Sequence, residues 1–275
     1  MSDLLNQLNE KQRAAVSAPH QHHLILAGAG SGKTRVLVHR MAWLMNEQGV
    51  SPFAILAVTF TNKAAHEMRG RIETLRGMPS NTLWVGTFHG LSHRLLRQHW
   101  QEANLPENFQ IIDSDDQLRL IKRLQKERDI DDTKFPSKQV QWFINKAKEE
   151  GRRPGAIGTG DYFNDTMQML YQDYHEACER GGMIDFSELL LRSLEMLKNN
   201  ANLRQHYQER FLHILVDEFQ DTNHIQYQWL KTLCGESCAI MAVGDDDQSI
   251  YSWRGAQIEN INRFTREYEP CHVIR

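Results

Sequence analysis

Cysteine is scarce in this 275-residue chain, where it occurs at Cys178, Cys234, Cys238 and Cys271 alone. The four are scattered and form no second closely spaced pair. A disulfide framework needs several paired cysteines, and a zinc ribbon needs two close pairs. The sequence therefore indicates neither.

Long apolar runs and a strong net charge are also missing. No stretch is long enough to span a membrane, and Met1 to Gln12 lacks the core of a signal peptide, so we expect a soluble cytoplasmic protein without a membrane partner. The 32 Lys and Arg residues oppose 35 Asp and Glu residues, which gives a formal net charge of −3. Because the whole chain carries no basic excess, any nucleic-acid site must be local.

A glycine-rich loop stands out against this background. Leu24 to Thr34 is LILAGAGSGKT, an apolar run followed by three spaced glycines and then Lys33 and Thr34. Small residues let several backbone N–H groups point at one anion, which a helix N-terminus and a lysine stabilise further. The template G-x-x-x-x-G-K-[ST] has glycine first, whereas this chain has Ala27. A nucleoside triphosphate is the predicted ligand, in preference to a plain glycine-rich turn or a dinucleotide loop.

Short apolar runs predict the strands of an α/β fold with a mainly parallel central sheet. They begin at Leu24 and continue at residues 54–59, 83–86, 212–216 and 239–243. Polar and aromatic clusters follow two of them, at residues 60–63 and 87–90. Since ligands of open α/β sheets gather beyond the carboxyl ends of strands, these clusters mark a second ligand site beside the phosphates.

Residues 89–210 have a different pattern, which predicts helices near 114–127, 137–149, 161–180 and 184–199. No alternation of strands and helices is visible there. We interpret this segment as an all-helical subdomain inserted into the α/β domain. Its basic side chains are interpreted as solvated rather than bound to nucleic acid.

Two acidic residues, Asp217 and Glu218, directly follow the strand at 212–216. A magnesium nucleotide site needs one carboxylate to hold the ion and one to polarise the attacking water. Together with the Lys33 loop, the pair predicts nucleotide hydrolysis assisted by Mg²⁺.

The strand at 239–243 is followed by GDDDQSIYSWRGA. Gln248 is placed to sense the γ-phosphate, and the nearby Tyr251 and Trp253 are suited to stacking on bases, at about 1 to 3 kcal/mol for each base. A calcium loop is excluded, because such a loop wants Gly and Glu where this sequence has Ile250 and Ala256.

A histidine pair with the spacing of metal ligands on a helix, His89 and His93, is also present. The sequence provides no third ligand at suitable spacing, so a metal role is not favoured.

Six motifs in order resemble those of the UvrD/Rep/PcrA group of superfamily 1A DNA helicases: LNEKQ, AGAGSGKTR, AVTFTNKAAHEM, VGTFHGL, ILVDEFQDTN and VGDDDQSIYSWRGA. The resemblance implies a RecA-like P-loop NTPase domain, 1A, made of residues 1–88 and 211–275, with the insertion 89–210 as domain 1B. It also implies ATP-driven 3′ to 5′ translocation on single-stranded DNA, action at single-strand/duplex junctions in repair and replication, unidentified repair partners, and association with the nucleoid.

The same resemblance implies a role for each matching residue. Residues implied for ATP and Mg²⁺ are Gln12 and Arg35 at the adenine, Ala29, Gly30, Ser31, Gly32, Lys33 and Thr34 at the phosphates, Thr34 and Asp217 at the ion, Glu218 as the activator of water, and Arg71 and Gln248 at the γ-phosphate. Residues implied for DNA are Phe60, Asn62, His89, Tyr251 and Trp253.

A member of this group continues into a second RecA-like domain that completes the ATP site, whereas this sequence ends at Arg275. We therefore expect an N-terminal portion that does not unwind DNA alone. Two alternatives remain open: a P-loop kinase or transferase, and a nucleotide-gated DNA-binding or protein-docking module without motor activity.

Overall fold

The computed structural model describes residues 3–77, 79–80, 82–158, 160–245 and 256–275, without the side chains of residues 3 and 256–259. Gln248, Tyr251 and Trp253 lie outside the described residues, and their roles stay predictions.

Twelve α-helices lie within the described ranges. They are α1 (Asp3–Asn6), α2 (Glu10–Val16), α3 (Lys33–Asn46), α4 (Asn62–Arg76), α5 (Phe88–Gln98), α6 (Ser114–Glu127), α7 (Ser137–Glu149), α8 (Tyr162–Gly181), α9 (Phe186–Asn199), α10 (Ala201–Arg210), α11 (His224–Leu233) and α12 (Ala256–Glu267). Short 3₁₀ turns occur at Pro52–Ala54, Pro154–Ala156 and Phe219–Asp221.

Eight β-strands accompany them in the part of the chain that the structure describes. They are β1 (His22–Leu26), β2 (Ile55–Thr59), β3 (Trp84–Thr87), β4 (Gln110–Ile111), β5 (Met183–Ile184), β6 (His213–Val216), β7 (Ala239–Gly244) and β8 (Cys271–Ile274).

Six strands form one parallel sheet in the order β3-β2-β6-β7-β1-β8. Every residue of β2, β6 and β7 is buried, as expected for central strands covered on both faces. The predicted α/β class with a mainly parallel sheet is confirmed. The sequence reasoning missed β8, an edge strand whose four residues are half-buried or exposed and therefore lack a clear apolar pattern.

Apolar residues recur from Leu4 to Val16 in a pattern that would suit one helix, but the structure divides this segment into α1 and α2. Asn9 has extended backbone angles, and its side chain accepts a hydrogen bond from Gln12 N at 2.8 Å. Gln12 Oε1 in turn accepts from Asn9 N at 3.2 Å. This reciprocal capping box starts a new helix and interrupts the pattern.

The chain divides into two compact units. The first comprises residues 1–91, 201–222 and 230–275, and contains the six-stranded sheet with α3 and α4 packed on it and α2 packed on α3. Its main cluster of buried apolar residues includes Val38, Met41, Ile55, Leu215 and Val243.

The second unit comprises residues 92–200 and 223–229. Its buried apolar cluster lies between α6, α7 and α8, where Leu124, Ile144 and Tyr171 pack together. The predicted helices at 114–127 and 137–149 are confirmed with those bounds. The structure adds a two-residue parallel pair, β4 with β5, to the expected all-helical segment. The division into domains 1A and 1B stays a prediction.

Within the described ranges, no helix has the length and apolar character needed to cross a membrane.

Candidate nucleotide-binding site

The phosphate loop connects β1 with α3. Gly30 and Gly32 have φ angles of 76° and 86°, in the left-handed region that favours glycine. Ala27 is not among the described residues with positive φ, and its N–H donates to the carbonyl of Gly244 at 3.2 Å. Glycine is therefore not required at the first template position, which explains why alanine is tolerated there.

Lys33 is the first residue of α3, and its ammonium lies inside the loop. Its Nζ donates to the carbonyl oxygens of Ala27 at 2.8 Å and Gly28 at 3.0 Å. The sequence thus places a positive charge within the curve of the loop, where phosphate oxygens would meet both the lysine and the helix N-terminus.

Gln12 joins α2 to the phosphate loop. Its Nε2 donates to the carbonyl of Ser31 at 2.9 Å, while its Oε1 takes part in the capping box with Asn9. A Cβ at Gly32 would lie 2.8 Å from this Nε2, so the loop and the glutamine are closely fitted. The structure therefore shows Gln12 in contact with the phosphate loop. This contact is separate from the contact with adenine that the sequence predicts.

A second element of the site lies at the end of β6. The Thr34 hydroxyl donates to Asp217 Oδ2 at 3.0 Å, and Asp217 is 2% exposed. Burial raises the pKa of Asp217, and the hydrogen bond from Thr34 and the charge of Lys33 oppose that shift. A buried carboxylate beside a threonine hydroxyl is a suitable ligand set for Mg²⁺, which takes one or two protein oxygens and completes its shell with water and phosphate.

Glu218 follows with a φ of 48°, which is uncommon for a residue with a side chain. Its N–H donates to Asp217 Oδ1 at 3.1 Å, and its Oε2 accepts from Gln220 Nε2 at 2.7 Å. Gln220 thus holds the second of the two successive acidic side chains.

These elements meet at a cavity of about 530 Å³. The lining contains most of the residues that the sequence predicted for nucleotide binding, namely Ala29, Gly30, Gly32, Lys33, Thr34, Arg35, Arg71 and Glu218. Three predicted residues are not part of this lining: Asp217 is bonded to the lining residue Thr34, and Gln12 is bonded to Ser31, which lies between Gly30 and Gly32.

Four lining residues were not predicted: Glu67, Gln220, Asp221 and Asp245. Gln220 and Asp221 directly follow Glu218, and Asp245 directly follows β7, so their position at strand ends was the available signal. Burial raises the pKa of Asp221, and the charges of Glu218 and Asp245 raise it further. The part of the lining that follows β6 and β7 is thus strongly acidic.

The two arginines of the cavity are each held by a partner. Arg35 Nη2 donates to the carbonyl of Gln7 at 2.7 Å, and Arg71 forms an ion pair with Glu67 one helical turn earlier. Both side chains are therefore oriented while they line the cavity.

Three residues predicted to contact DNA lie at the ends of the neighbouring strands β2 and β3. Thr59 and Thr87 are paired, so Phe60 and Phe88 follow at the same level, with ring centroids 5.4 Å apart. Asn62 is exposed at the start of α4, and burial lowers the pKa of His89 to about 4, which keeps it neutral at pH 7. Phe60, Asn62 and His89 thus share one edge of the sheet.

His93, the second histidine of the pair with helical spacing, is bonded to a neighbour on its own helix. His93 Nε2 accepts from Arg97 Nε at 3.0 Å. Among the residues whose placement is described, no group of three or more His, Cys, Asp or Glu side chains has metal-binding geometry.

A parallel α/β sheet with a phosphate loop and an acidic strand end defines a P-loop nucleotide-binding domain. Comparison with known proteins makes the assignment more specific: residues 8–269 match the UvrD/REP helicase N-terminal domain, and the chain belongs to that family.

Several relatives share the whole length of the chain. It is 58% identical to DNA helicase II of Escherichia coli (strain K12) and 40% identical to the ATP-dependent DNA helicase PcrA of Bacillus subtilis (strain 168), over 100% and 99% of this chain. DNA helicase II of Haemophilus influenzae is 54% identical over 98% of it. The chain spans 37 to 38% of the length of these relatives.

Proposed function

We propose that this chain binds and hydrolyses ATP as part of a DNA helicase. The observation that carries the proposal is the 530 Å³ cavity in which Lys33, Thr34, Arg71 and Glu218 meet. A phosphate loop alone would suit any P-loop protein. An acidic residue in the same lining, Glu218, adds a group that can activate water for hydrolysis.

The proposal assigns each group a role in the chemistry. Lys33 and the loop N–H groups bind the β- and γ-phosphates, and Arg71 with Gln248 contacts the γ-phosphate. Glu218 orients and polarises the attacking water, and Gln12 and Arg35 contact the adenine. Thr34 and Asp217 would hold Mg²⁺, which supplies neutralisation of the phosphate charge when bound.

We place the DNA site at the same carboxyl edge of the sheet, after β2 and β3. Phe60, Asn62 and His89 contact single-stranded DNA, with Tyr251 and Trp253 stacking on its bases. Directed movement from 3′ to 5′ and preference for single-strand/duplex junctions complete the proposal. The names of the relatives, DNA helicase II and ATP-dependent DNA helicase PcrA, support a motor on DNA.

Residues 1–88 and 211–275 would form domain 1A and residues 89–210 domain 1B. The relatives extend well beyond the matched region, so we propose that a second RecA-like domain supplies the arginine that completes the site. Such arginines contribute about three to five powers of ten to the rate of phosphoryl transfer, so the 275-residue chain alone should not unwind duplex DNA. Repair and replication within the nucleoid, with repair proteins as partners, is the proposed setting.

The test is an ATPase assay with and without oligo(dT), on the 275-residue chain and on the longer protein proposed to contain it. Hydrolysis by the longer protein should rise on adding oligo(dT), and Glu218→Gln should abolish it while leaving nucleotide binding. Glu236→Gln, at an exposed position, is the matched control. A rate of ATP hydrolysis that does not change on adding oligo(dT) would contradict the proposal.

The same assay separates the main alternative, a nucleotide-gated binding module. Such a module would bind oligo(dT) in a nucleotide-dependent way but would not hydrolyse ATP. The unmodified protein and Glu218→Gln would then give the same result in the ATPase assay. Duplex unwinding by the 275-residue chain alone would disprove the proposed need for a second domain.

A further inference from the structure

Two cysteines outside the nucleotide site, Cys234 and Cys238, lie at the two ends of a turn between α11 and β7. Cys234 directly follows α11, and Cys238 directly precedes β7. The N–H of Cys238 donates to the carbonyl of Gly235 at 3.1 Å, the hydrogen bond that closes a four-residue turn. The chain therefore reverses between the two cysteines and brings them together.

The two side chains are in direct contact. Both are free thiols, and Cys238 donates a hydrogen bond to Cys234. The Cys234 thiol in turn donates to the carbonyl of Gly235 at 3.8 Å. Among the described side chains no third metal ligand joins them, whereas a structural zinc site takes four. The pair is therefore a dithiol.

Neighbouring segments hold the turn on both sides. A Cβ at Gly235 would lie 2.8 Å from the carbonyl oxygen of Gln208 in α10, and Gln208 Nε2 donates to the carbonyl of Thr232 at 2.9 Å. On the other side, the N–H of Ala239 donates to the carbonyl of Leu212 at 2.9 Å. The folded chain therefore keeps the two thiols adjacent.

The two thiols differ in accessibility and in acidity. Cys234 is half-buried, whereas Cys238 is 4% exposed. The hydrogen bond from Cys238 lowers the pKa of Cys234 against the opposing effect of burial, and the same bond and burial raise the pKa of Cys238. Because the thiolate is the nucleophile in exchange with a disulfide, the accessible and more acidic thiol attacks first. Cys234 is thus the attacking sulfur, and Cys238 is the second one.

We propose that Cys234 and Cys238 form a reversible thiol–disulfide site that reacts with low-molecular-weight disulfides, RSSR. The Cys234 thiolate attacks one sulfur of RSSR, which forms a mixed disulfide and releases RS⁻. The Cys238 sulfur, as its thiolate, then attacks Cys234 Sγ, which forms the Cys234–Cys238 bond and releases a second RS⁻. The two thiol protons end on the released thiolates. Two protein thiols are thereby oxidised to one disulfide, RSSR is reduced to two RSH, and an excess of RSH reverses the reaction.

The test treats the folded, reduced 275-residue chain with an excess of oxidised glutathione, alkylates the remaining thiols in urea, and maps tryptic peptides by mass spectrometry. Cys234 and Cys238 lie on one tryptic peptide, which begins after Lys231 and contains neither Cys178 nor Cys271. This peptide should lose two hydrogen atoms and take up no alkylating reagent. An excess of reduced glutathione should then restore both thiols.

Serine variants separate the two roles. Cys238→Ser keeps a donor beside Cys234 but should stop at the mixed disulfide, so its peptide should carry one glutathione. Cys234→Ser should leave Cys238 reduced. Cys271→Ser is the matched control, because Cys271 is also half-buried, and it should oxidise at the pair as the unmodified chain does. Burial raises the pKa of Cys271 to about 11, so a limiting alkylating reagent should modify Cys234 about tenfold faster or more.

Two results would overturn the inference. If the disulfide forms only when the chain is treated in urea, the pair is ordinary packing in the folded protein. If glutathione stays bound to Cys234 of the unmodified chain, Cys238 does not complete the exchange. Both results are obtained with the unmodified chain, so neither depends on whether the serine variants fold.

Discussion

Thr34 Oγ1 donates a hydrogen bond to Asp217 Oδ2 at 3.0 Å, across 183 positions of sequence. Thr34 belongs to the first turn of α3, which follows β1, whereas Asp217 follows β6. In the sheet, β7 lies between these two strands. The bond therefore joins the phosphate loop to the acidic strand end across the carboxyl edge of the sheet.

The first prediction concerns this bond. Thr34→Val removes the hydroxyl at nearly constant volume and should weaken Mg²⁺-dependent binding of ATP by about tenfold or more, whereas Thr34→Ser should retain it. Calorimetric titration with a non-hydrolysable ATP analogue, with Mg²⁺ or with EDTA, measures the difference. Without the hydrogen bond that lowers it, the pKa of Asp217 should rise further, so binding by Thr34→Val should be lost at a higher pH on acidification. Equal affinities of the valine and serine variants would contradict this.

The second prediction compares two loop glycines. Gly30 and Gly32 both have positive φ, so alanine at either should cost about 1 to 2 kcal/mol in backbone strain. A Cβ at Gly30 meets nothing within 4 Å, whereas a Cβ at Gly32 meets the Gln12 amide at 2.8 Å. Gly32→Ala should therefore reduce thermal stability and nucleotide affinity more than Gly30→Ala does.

Combining Gly32→Ala with Gln12→Ala should recover part of that extra loss, since it removes the clashing amide. If the double variant loses as much stability and nucleotide affinity as the two single variants together, the clash with Gln12 is not the cause of the extra loss in Gly32→Ala.

The third prediction concerns the second compact unit. Lys148 is 2% exposed, and its Nζ lies 2.6 Å from Asp185 and 2.9 Å from Glu188. Burial would lower the pKa of Lys148, but the two carboxylates raise it above its ordinary value. Lys148→Met should cost about 3 to 5 kcal/mol in unfolding free energy, because it leaves two buried carboxylates without their shared cation.

Urea denaturation measures this cost, with the exposed Lys138→Met as a control expected to change stability by less than about 0.5 kcal/mol. Adding Asp185→Asn to Lys148→Met should restore part of the stability. If Lys148→Met loses no more unfolding free energy than Lys138→Met, the ion pairs of Lys148 contribute little to stability.

The fourth prediction concerns pH and stability. Burial lowers the pKa of His213 to about 3, with the nearby His20 and Arg40 contributing, below an unfolded value of about 6.5. Because protonation favours the unfolded state, the stability that depends on neutral His213 is present above pH 6.5 and is lost as pH falls towards 3. The loss attributable to this residue is at most about 1.4 kcal/mol per pH unit.

His213→Phe keeps a ring beside His20, whose centroid lies 4.6 Å away, but cannot be protonated. Unfolding free energies between pH 7 and 5 should fall less steeply in this variant than in the unmodified chain. His206→Phe, at an exposed position, serves as the control. Parallel slopes for all three proteins would contradict the prediction.

Periodicity and motif spacing were sufficient for the regular parts of the fold. The helices at 114–127 and 137–149 have the predicted bounds, because their apolar residues recur at helical spacing and so lie on one face of each helix. Sequence reasoning did not define the start of α2, which is set by the capping box between Asn9 and Gln12. It also failed at β8, whose half-exposed residues carry little apolar signal.

The sequence by itself determined the phosphate loop, the acidic pair and the family, because these depend on residue types at fixed short spacings. Only the tertiary structure decided which distant groups meet, since hydrogen bonds such as Thr34 to Asp217 exist only after β1, β7 and β6 have aligned. Gln220 shows the difference most clearly. It is an ordinary glutamine beside an acidic pair in the sequence, and its link to Asp245 depends on parallel strands bringing two loops to one edge.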